Sequence, residues 1–428
     1  MLTFLLLSPA AHAFCGTYVG SAGSELYNSA AKVALARDGT RTTITLANDF
    51  EGAVTDFALV IPVPEVLTAD DVSLADTGLF DRLDAYSSPR LVSYQCSDFY
   101  YYDYAYGVDG SASGCLGCGA KDMMLSDSGA VMTDSTATEW ADAVTVESSF
   151  TEGNYEFVVL SSEDSEGLVG WLGANGYAIP AGAEALLQEY IDAGSYFFAA
   201  KVVLNELEVA PTWLPPLQFG YDADTFALPV RIGTISSSGE QDLLVFTITS
   251  IEDGMTGIAN YDQVAVADEC MWEDQGEGFG EFYTNTFLEQ MFDSPRASWL
   301  TEYSWQPTNC DPCSGEPPSE QDLVDLGWDR GAYDAHFTRL HMHYTPDQVD
   351  QDLAFYASGQ TTQDQVKYIV YNQSLESMFP ICGEGMATDP GTCDEEVAAK
   401  QPPRRTSTAG GWVMLAAAFG AWLVRKRG

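Results

Sequence analysis

Three histidines fall close together at His336, His341 and His343. In an extended strand residues two apart share a face, so Phe337, Arg339, His341 and His343 point one way and Leu340, Met342 and Tyr344 the other. A His-x-His pair on one strand face brings two imidazoles to one point, which is an arrangement that holds zinc. Two features oppose that chemistry. His336 falls on the other parity, and Arg339 sets a fixed positive charge beside the would-be metal. The competing expectation is that these are polar strand residues hydrogen-bonded to carboxylates, which this chain has in plenty.

Cys310-Asp311-Pro312-Cys313 has the spacing of thiol–disulfide exchange enzymes, in which a helix N-terminus stabilises a thiolate. The Ser314-Gly315-Glu316-Pro317-Pro318 stretch that follows starts no prompt helix, and Asp311 and Glu316 work against a thiolate. A structural disulfide is therefore expected, and the same holds for Cys115-Leu116-Gly117-Cys118. The two pairs either close on themselves or cross-pair. Joining them in a Cys₄ zinc site has no support from the spacing. Cys382 and Cys393 bracket a Gly/Pro-rich loop and are expected to pair. The chain holds 9 cysteines, so one is left over. No serine nucleophile elbow, phosphate loop or dinucleotide fingerprint is present, so no cofactor is implied. Carboxylate pairs carry no information in a chain with 63 acids.

The elements that must carry these residues read as follows. Lys32 to Ala36 and Thr42 to Ala47 form a hairpin whose Asp38-Gly39 supplies the positive φ of the turn. Phe57 to Pro62 is a strand apolar enough to be central. Asp76 to Ala85 is a short helix opened by Asp76. Residues 97–120 have no period and read as an inserted, tyrosine-rich loop. Strands at Ala143 to Ser148 and Tyr155 to Leu160 precede helices at Ser165 to Ala174 and Ala181 to Ala193, the second stopped by Gly194. Tyr196 to Leu204 is a strand. Phe226 to Ile235 and Asp242 to Ser250 read as a second hairpin turning at Ser236 to Gly239. Helices follow at Glu281 to Phe292 and Arg296 to Tyr303, then strands at Phe337 to Tyr344 and Val366 to Tyr371. Antiparallel hairpins with a few interspersed helices argue α+β.

The formal charge is −45, with 63 Asp and Glu against 18 Lys and Arg. Five of the 18 (Arg404, Arg405, Arg425, Lys426, Arg427) lie near the C-terminal end, leaving 13 before them. Such a body is repelled by nucleic acid and anionic lipid, which excludes a DNA or RNA partner. Three readings remain: a surface hydrated in salty surroundings, a Ca²⁺-loading surface, or an acidic exported protein. No Asp-x-Asp-x-Asp-Gly loop signals a dedicated calcium site.

Both ends are apolar. Leu2 to Leu7 followed by Ala11-His12-Ala13 has the apolar segment and small-x-small site of an export signal over residues 1–13, although it is short and lacks a leading Lys or Arg, which points to a start upstream. A run from Trp412 to Val424 precedes Arg425-Lys426-Arg427, so residues 411–428 read as a short transmembrane helix and a basic tail that stays cytoplasmic. The oxidising side of a membrane then holds the body, where cysteines pair. Gly410-Gly411 ahead of the short span resembles the sorting tails that a rhomboid-type intramembrane protease removes; the alternative is a permanent single-pass anchor.

Several phrases resemble the bacterial domain-of-unknown-function 2330 family. They are Phe14-Cys15-Gly16, Arg37-Asp38-Gly39, Pro62-Val63-Pro64, Phe80-Asp81-Arg82-Leu83-Asp84 and Ser88-Pro89-Arg90-Leu91, then Leu228-Pro229-Val230-Arg231-Ile232-Gly233, Glu302-Tyr303-Ser304-Trp305, Cys310-Asp311-Pro312-Cys313 and Thr338-Arg339-Leu340-His341. The resemblance covers roughly residues 14 to 375 and implies an exported envelope protein with no assigned activity, so no catalytic residue is carried over. The expectation is a non-catalytic α+β body over 14–380, of one unit or of two at 14–140 and 141–380. A disulfide loop and linker over 381–410 and a membrane segment over 411–424 complete it. Its ligand would be protein or glycan. The rival is an envelope enzyme using Cys310/Cys313 exchange or a His341/His343 zinc site.

Overall fold

The computed structural model describes residues 17–21, 28–48, 56–92, 143–203, 216–308 and 315–371, apart from 154, 176, 181, 267–269, 273–278, 293, 362–363 and 366. Two large sheets lie face to face between helices. The six-stranded sheet runs Val144–Glu152, Tyr155–Ser162, Tyr196–Val203, Asp56–Val63, Thr17–Ser21, Tyr177–Ala178, and every neighbour is antiparallel. The nine-stranded sheet runs Asp262–Val264, Ser298–Trp305, Ala335–Tyr344, Ser237–Ser250, Asn28–Asp38, Arg41–Asn48, Leu217–Asp222, Val72–Leu74, with Asp364–Gln365 added beside Ser298–Trp305. Both sheets draw strands from 14–140 and from 141–380. Two pairs in the larger sheet are parallel, Asn28–Asp38 with Ser237–Ser250 and Asp262–Val264 with Ser298–Trp305, so the α+β sheet is mixed and not wholly antiparallel.

Strand alternation builds three cores from this layering. Leu35, Val245, Leu340 and Met342 face inward and meet Leu59, Ile61, Phe157 and Phe198 of the smaller sheet. The Phe198 and Phe219 rings, 5.4 Å apart, carry the contact between the sheets. The other side of the smaller sheet (Val60, Leu160, Phe197) is covered by helices Ser165–Ala174 and Ala183–Asp192 through Leu168, Leu172 and Leu187. The other side of the larger sheet (Ala34, Phe246, Phe337) is covered by helix Leu79–Ser87 through Leu79 and Leu83, and by Leu323 of helix Glu320–Asp325. A satellite cluster of Tyr283, Phe287 and Met291 seats helix Phe279–Phe292 on Leu300 of the same side.

Local signals placed much of this. The hairpin turns at Gly39 with φ 58°, and helix Ser165–Ala174 starts where Asp164 accepts from the Gly167 amide at 2.6 Å. Gly194, at φ 80°, follows the second of the paired helices. Three expectations are corrected. Phe226 to Ile235 is not a hairpin arm: Arg231–Ser236 is a 3₁₀ turn whose Ile232 plugs the helix-side core. Ser236 to Gly239 is not a turn either, because Ser237–Ser250 continues as one 14-residue strand with a register shift between Ser237 and Asp242. Arg296 to Tyr303 is not a helix. Ser298–Trp305 is a strand buried along nearly its whole length, and flanking ladders satisfy its backbone on both sides. Helix Glu320–Asp325, opened by a Ser319/Asp322 capping box, is an element that the sequence reading lacks.

No helix among the described residues is long and apolar enough to cross a membrane. The span expected at 411–428 lies outside the described residues, as do the signal at 1–13, the linker at 381–410, and the tyrosine-rich loop.

Candidate functional site

The alternation expected for the histidine strand is present. In Ala335–Tyr344, Leu340, Met342 and Tyr344 enter the inter-sheet core and Phe337 the outer one, so Arg339, His341 and His343 share the outer side. On one flank Asp242 lies opposite His343 and Leu244 opposite His341, and Lys32 lies opposite Leu244 on the next strand. On the other flank Leu300 lies opposite His341 and Tyr303 opposite Arg339, with a register shift between Thr301 and Tyr303. The extra residue of that bulge is Glu302. A bulge re-aims a side chain, and here it delivers a carboxylate between Arg339 and His341.

Glu302 is 1% exposed and uses both oxygens. Its Oε1 accepts from His341 Nδ1 at 2.7 Å and from the Tyr283 hydroxyl, and its Oε2 accepts from Arg339 Nε. Arg339 reaches on to donate to Asp84 on helix Leu79–Ser87, and Lys32 Nζ lies 3.7 Å from the other Asp84 oxygen. His341 Nε2 donates to Asp242 Oδ1 at 2.9 Å, and the same oxygen lies 3.3 Å from His343 Nδ1. His343 Nε2 stands 3.5 Å from Glu240. Phe287 lies flat over His341 with ring centroids 3.9 Å apart.

Carboxylates only accept, so a histidine with one on each ring nitrogen carries both protons. Burial opposes that charge, but Asp242 and Glu302 outweigh it and His341 is raised to about 10. Burial likewise opposes the charge on Glu302, and His341 with Arg339 overcomes it, holding Glu302 below the usual carboxylate range. Asp242 is lowered against burial by His341 and His343, and Asp84 is lowered against burial by Arg339 and Lys32. Arg339 is raised, burial being outweighed by Glu302 and Asp84. Lys32, Arg339 and His341 then balance Asp84, Asp242 and Glu302 charge for charge. Such a network is stable while complete and costly when one member goes.

His341 in this state has no lone pair to offer a metal, a proton or a carbonyl. Among the described residues no group of three or more His, Cys, Asp and Glu is arranged to hold a metal ion. Of the sequence candidates, the fold brings His341 and His343 together at Asp242 and leaves His336 on the inner side. Cys115, Cys118, Cys310, Cys313, Cys382, Cys393, Gly410 and Gly411 lie outside the described residues. Asp84, Asp242, Glu302 and Tyr283 complete the site without being among the sequence candidates for it. Glu302 was hidden by the helical reading of its segment. The alternating Trp299, Thr301, Tyr303 and Trp305 were the signal for a strand there.

A family model described as an uncharacterised protein conserved in bacteria (DUF2330) matches residues 9–356. No curated protein and no solved structure matches the chain.

Proposed function

The chain belongs to the DUF2330 family of bacterial proteins, and from that premise we propose that it is a non-catalytic, exported cell-envelope protein acting as a binding or surface-structural module. The observation that carries this reading is the closure of the His341 network. A general base or a metal ligand needs a free lone pair, and a substrate needs access. Both His341 nitrogens are bound to carboxylates and Phe287 covers the ring. The charged groups instead tie helices Leu79–Ser87 and Phe279–Phe292 to the sheet, which is a structural task.

The export half rests on the sequence. Residues 1–13 read as a signal, and 411–424 as a span that places the acidic body outside. Processing at Gly410-Gly411 by an intramembrane protease, or permanent anchoring, follows from the same tail. Its ligand would be protein or glycan. The cysteines, Cys382 with Cys393 first among them, are assigned to disulfides.

Purified protein from a bacterial envelope fraction tests both halves. We expect no stoichiometric zinc after dialysis, no more than about one free thiol, and body peptides that external protease removes from spheroplasts. One zinc per chain, lost in a His341→Ala/His343→Ala double variant, or reduced Cys310 and Cys313, would establish the enzyme reading. Full protection of the body in spheroplasts, from which the outer membrane barrier has been removed, would refute export.

A further inference from the structure

His336 sits on the inner side of the histidine strand, 1% exposed. Its Nε2 lies 2.8 Å from Ser304 Oγ, and its Nδ1 has no hydrogen-bond partner among the described residues. Residues 254–256 close over it. The Thr249 hydroxyl, on the residue directly opposite His336, donates to the Gly254 carbonyl at 2.7 Å, and the Thr256 amide donates to Thr338 Oγ1 at 3.2 Å. Strand Thr256–Ile258 then pairs with Leu353–Ala357, and the Met255 amide donates to the Gln360 carbonyl at 2.8 Å. This cover is part of a small three-stranded sheet whose Ile258, Leu353 and Phe355 join the inter-sheet core.

The groups around the imidazole are neutral: Thr249 and Ser304 on the flanking strands, Thr338 on its own, Gly254, Met255 and Thr256 above. Of the charged groups bordering the patch, Asp253 accepts from Ser250 Oγ at 2.6 Å, Asp334 pairs with Arg330, and Asp364 lies directly opposite Ser304 in the outer ladder. Burial is the one cause acting on the imidazole, and it pushes His336 down to about 4.

We propose that His336 is an acid-sensitive catch: a second proton would leave an imidazolium with an unpartnered N–H inside the sandwich, and the Thr256–Ile258/Leu353–Ala357 cover lifts to let water reach it. The sign follows from the depressed basicity. The closed state binds fewer protons than the open one, so closure is fully present above the ordinary histidine value of about 6.5 and weakens about tenfold per pH unit as pH falls toward about 4. The catch depends on no assignment of function.

Amide hydrogen exchange on the full chain at pH 6.5 and 5.0, corrected for intrinsic rates, tests it against His336→Gln, whose carboxamide keeps the Ser304 bond without titrating. Wild type is expected to lose about 15-fold more protection over 256–258 and 353–357 than the variant. Equal losses overturn the proposal. Should His336→Gln not fold, NMR titration of the wild-type His336 ring replaces it: titration below about 5 supports the catch, and titration near the free value of about 6.5 overturns it.

Discussion

Phe287 lies flat on the imidazole of His341, with ring centroids 3.9 Å apart and planes 15° from parallel. The stack joins helix Phe279–Phe292 to the sheet at the point where the charge network is densest. An aromatic face stabilises a cation held over it, so the ring supports the protonated state of His341 as well as covering it.

Phe287→Ala removes both the stack and a buried ring in the small cluster with Tyr283, Met291 and Leu300. A loss of about 3–5 kcal/mol is expected, with Phe287→Leu costing clearly less. Urea unfolding of the two variants measures this; equal losses would mean that the aromatic stack on His341, and not the buried volume, carries the contribution.

Glu302 and Arg339 form a pair whose side chains are 1% and 6% exposed. Glu302→Gln and Arg339→Met should each cost about 3–5 kcal/mol, since each strands a buried partner charge. The double variant should cost less than the two together by about 1–3 kcal/mol. A double-mutant cycle that closes additively would show that the two side chains do not act as a unit.

His341, raised to about 10 by Asp242 and Glu302 despite burial, contributes stability that is complete below about pH 6.5 and is lost as pH climbs through about 10. Denaturation midpoints of wild type should therefore fall between pH 7 and pH 10. His341→Gln should be less stable at pH 7 and flatter across that range. A variant with the wild-type alkaline slope would assign the slope elsewhere. On the acid side Glu302 and Asp242, both lowered, lose their contribution only below about pH 4.5, so His336 has the interval above that to itself among these groups.

Asp352 behaves in the opposite sense. It accepts from the Tyr190 hydroxyl at 2.8 Å and the Arg231 amide at 2.9 Å, yet burial raises its pKa. The folded state then favours its proton, and the ionised form weakens the fold at neutral pH. Asp352→Asn keeps an acceptor oxygen and should change stability at pH 7 by no more than about 1 kcal/mol, in the stabilising direction. A loss like that of Glu302→Gln, read by the same urea series, would show that the charge itself holds the clamp.

Local chemistry in the sequence determined the parts of the fold that a few neighbouring residues can specify. The Asp38-Gly39 turn, the Gly194 stop and the two-residue alternation that puts His341 beside His343 all depend on contacts within one turn or strand, and each is where the residues say it should be. The strand preference of Trp299, Thr301, Tyr303 and Trp305 is written in the sequence, but only tertiary structure decided that Ser298–Trp305 lies between ladders on both flanks. It also decided the character of His341. The groups that charge it, Glu302 and Asp242, lie 39 and 99 residues away, and Glu302 reaches it only through a bulge defined by pairing with another strand. A histidine's partners set its protonation, and partners so distant in the chain are chosen by how sheets and helices pack, not by the residues beside it.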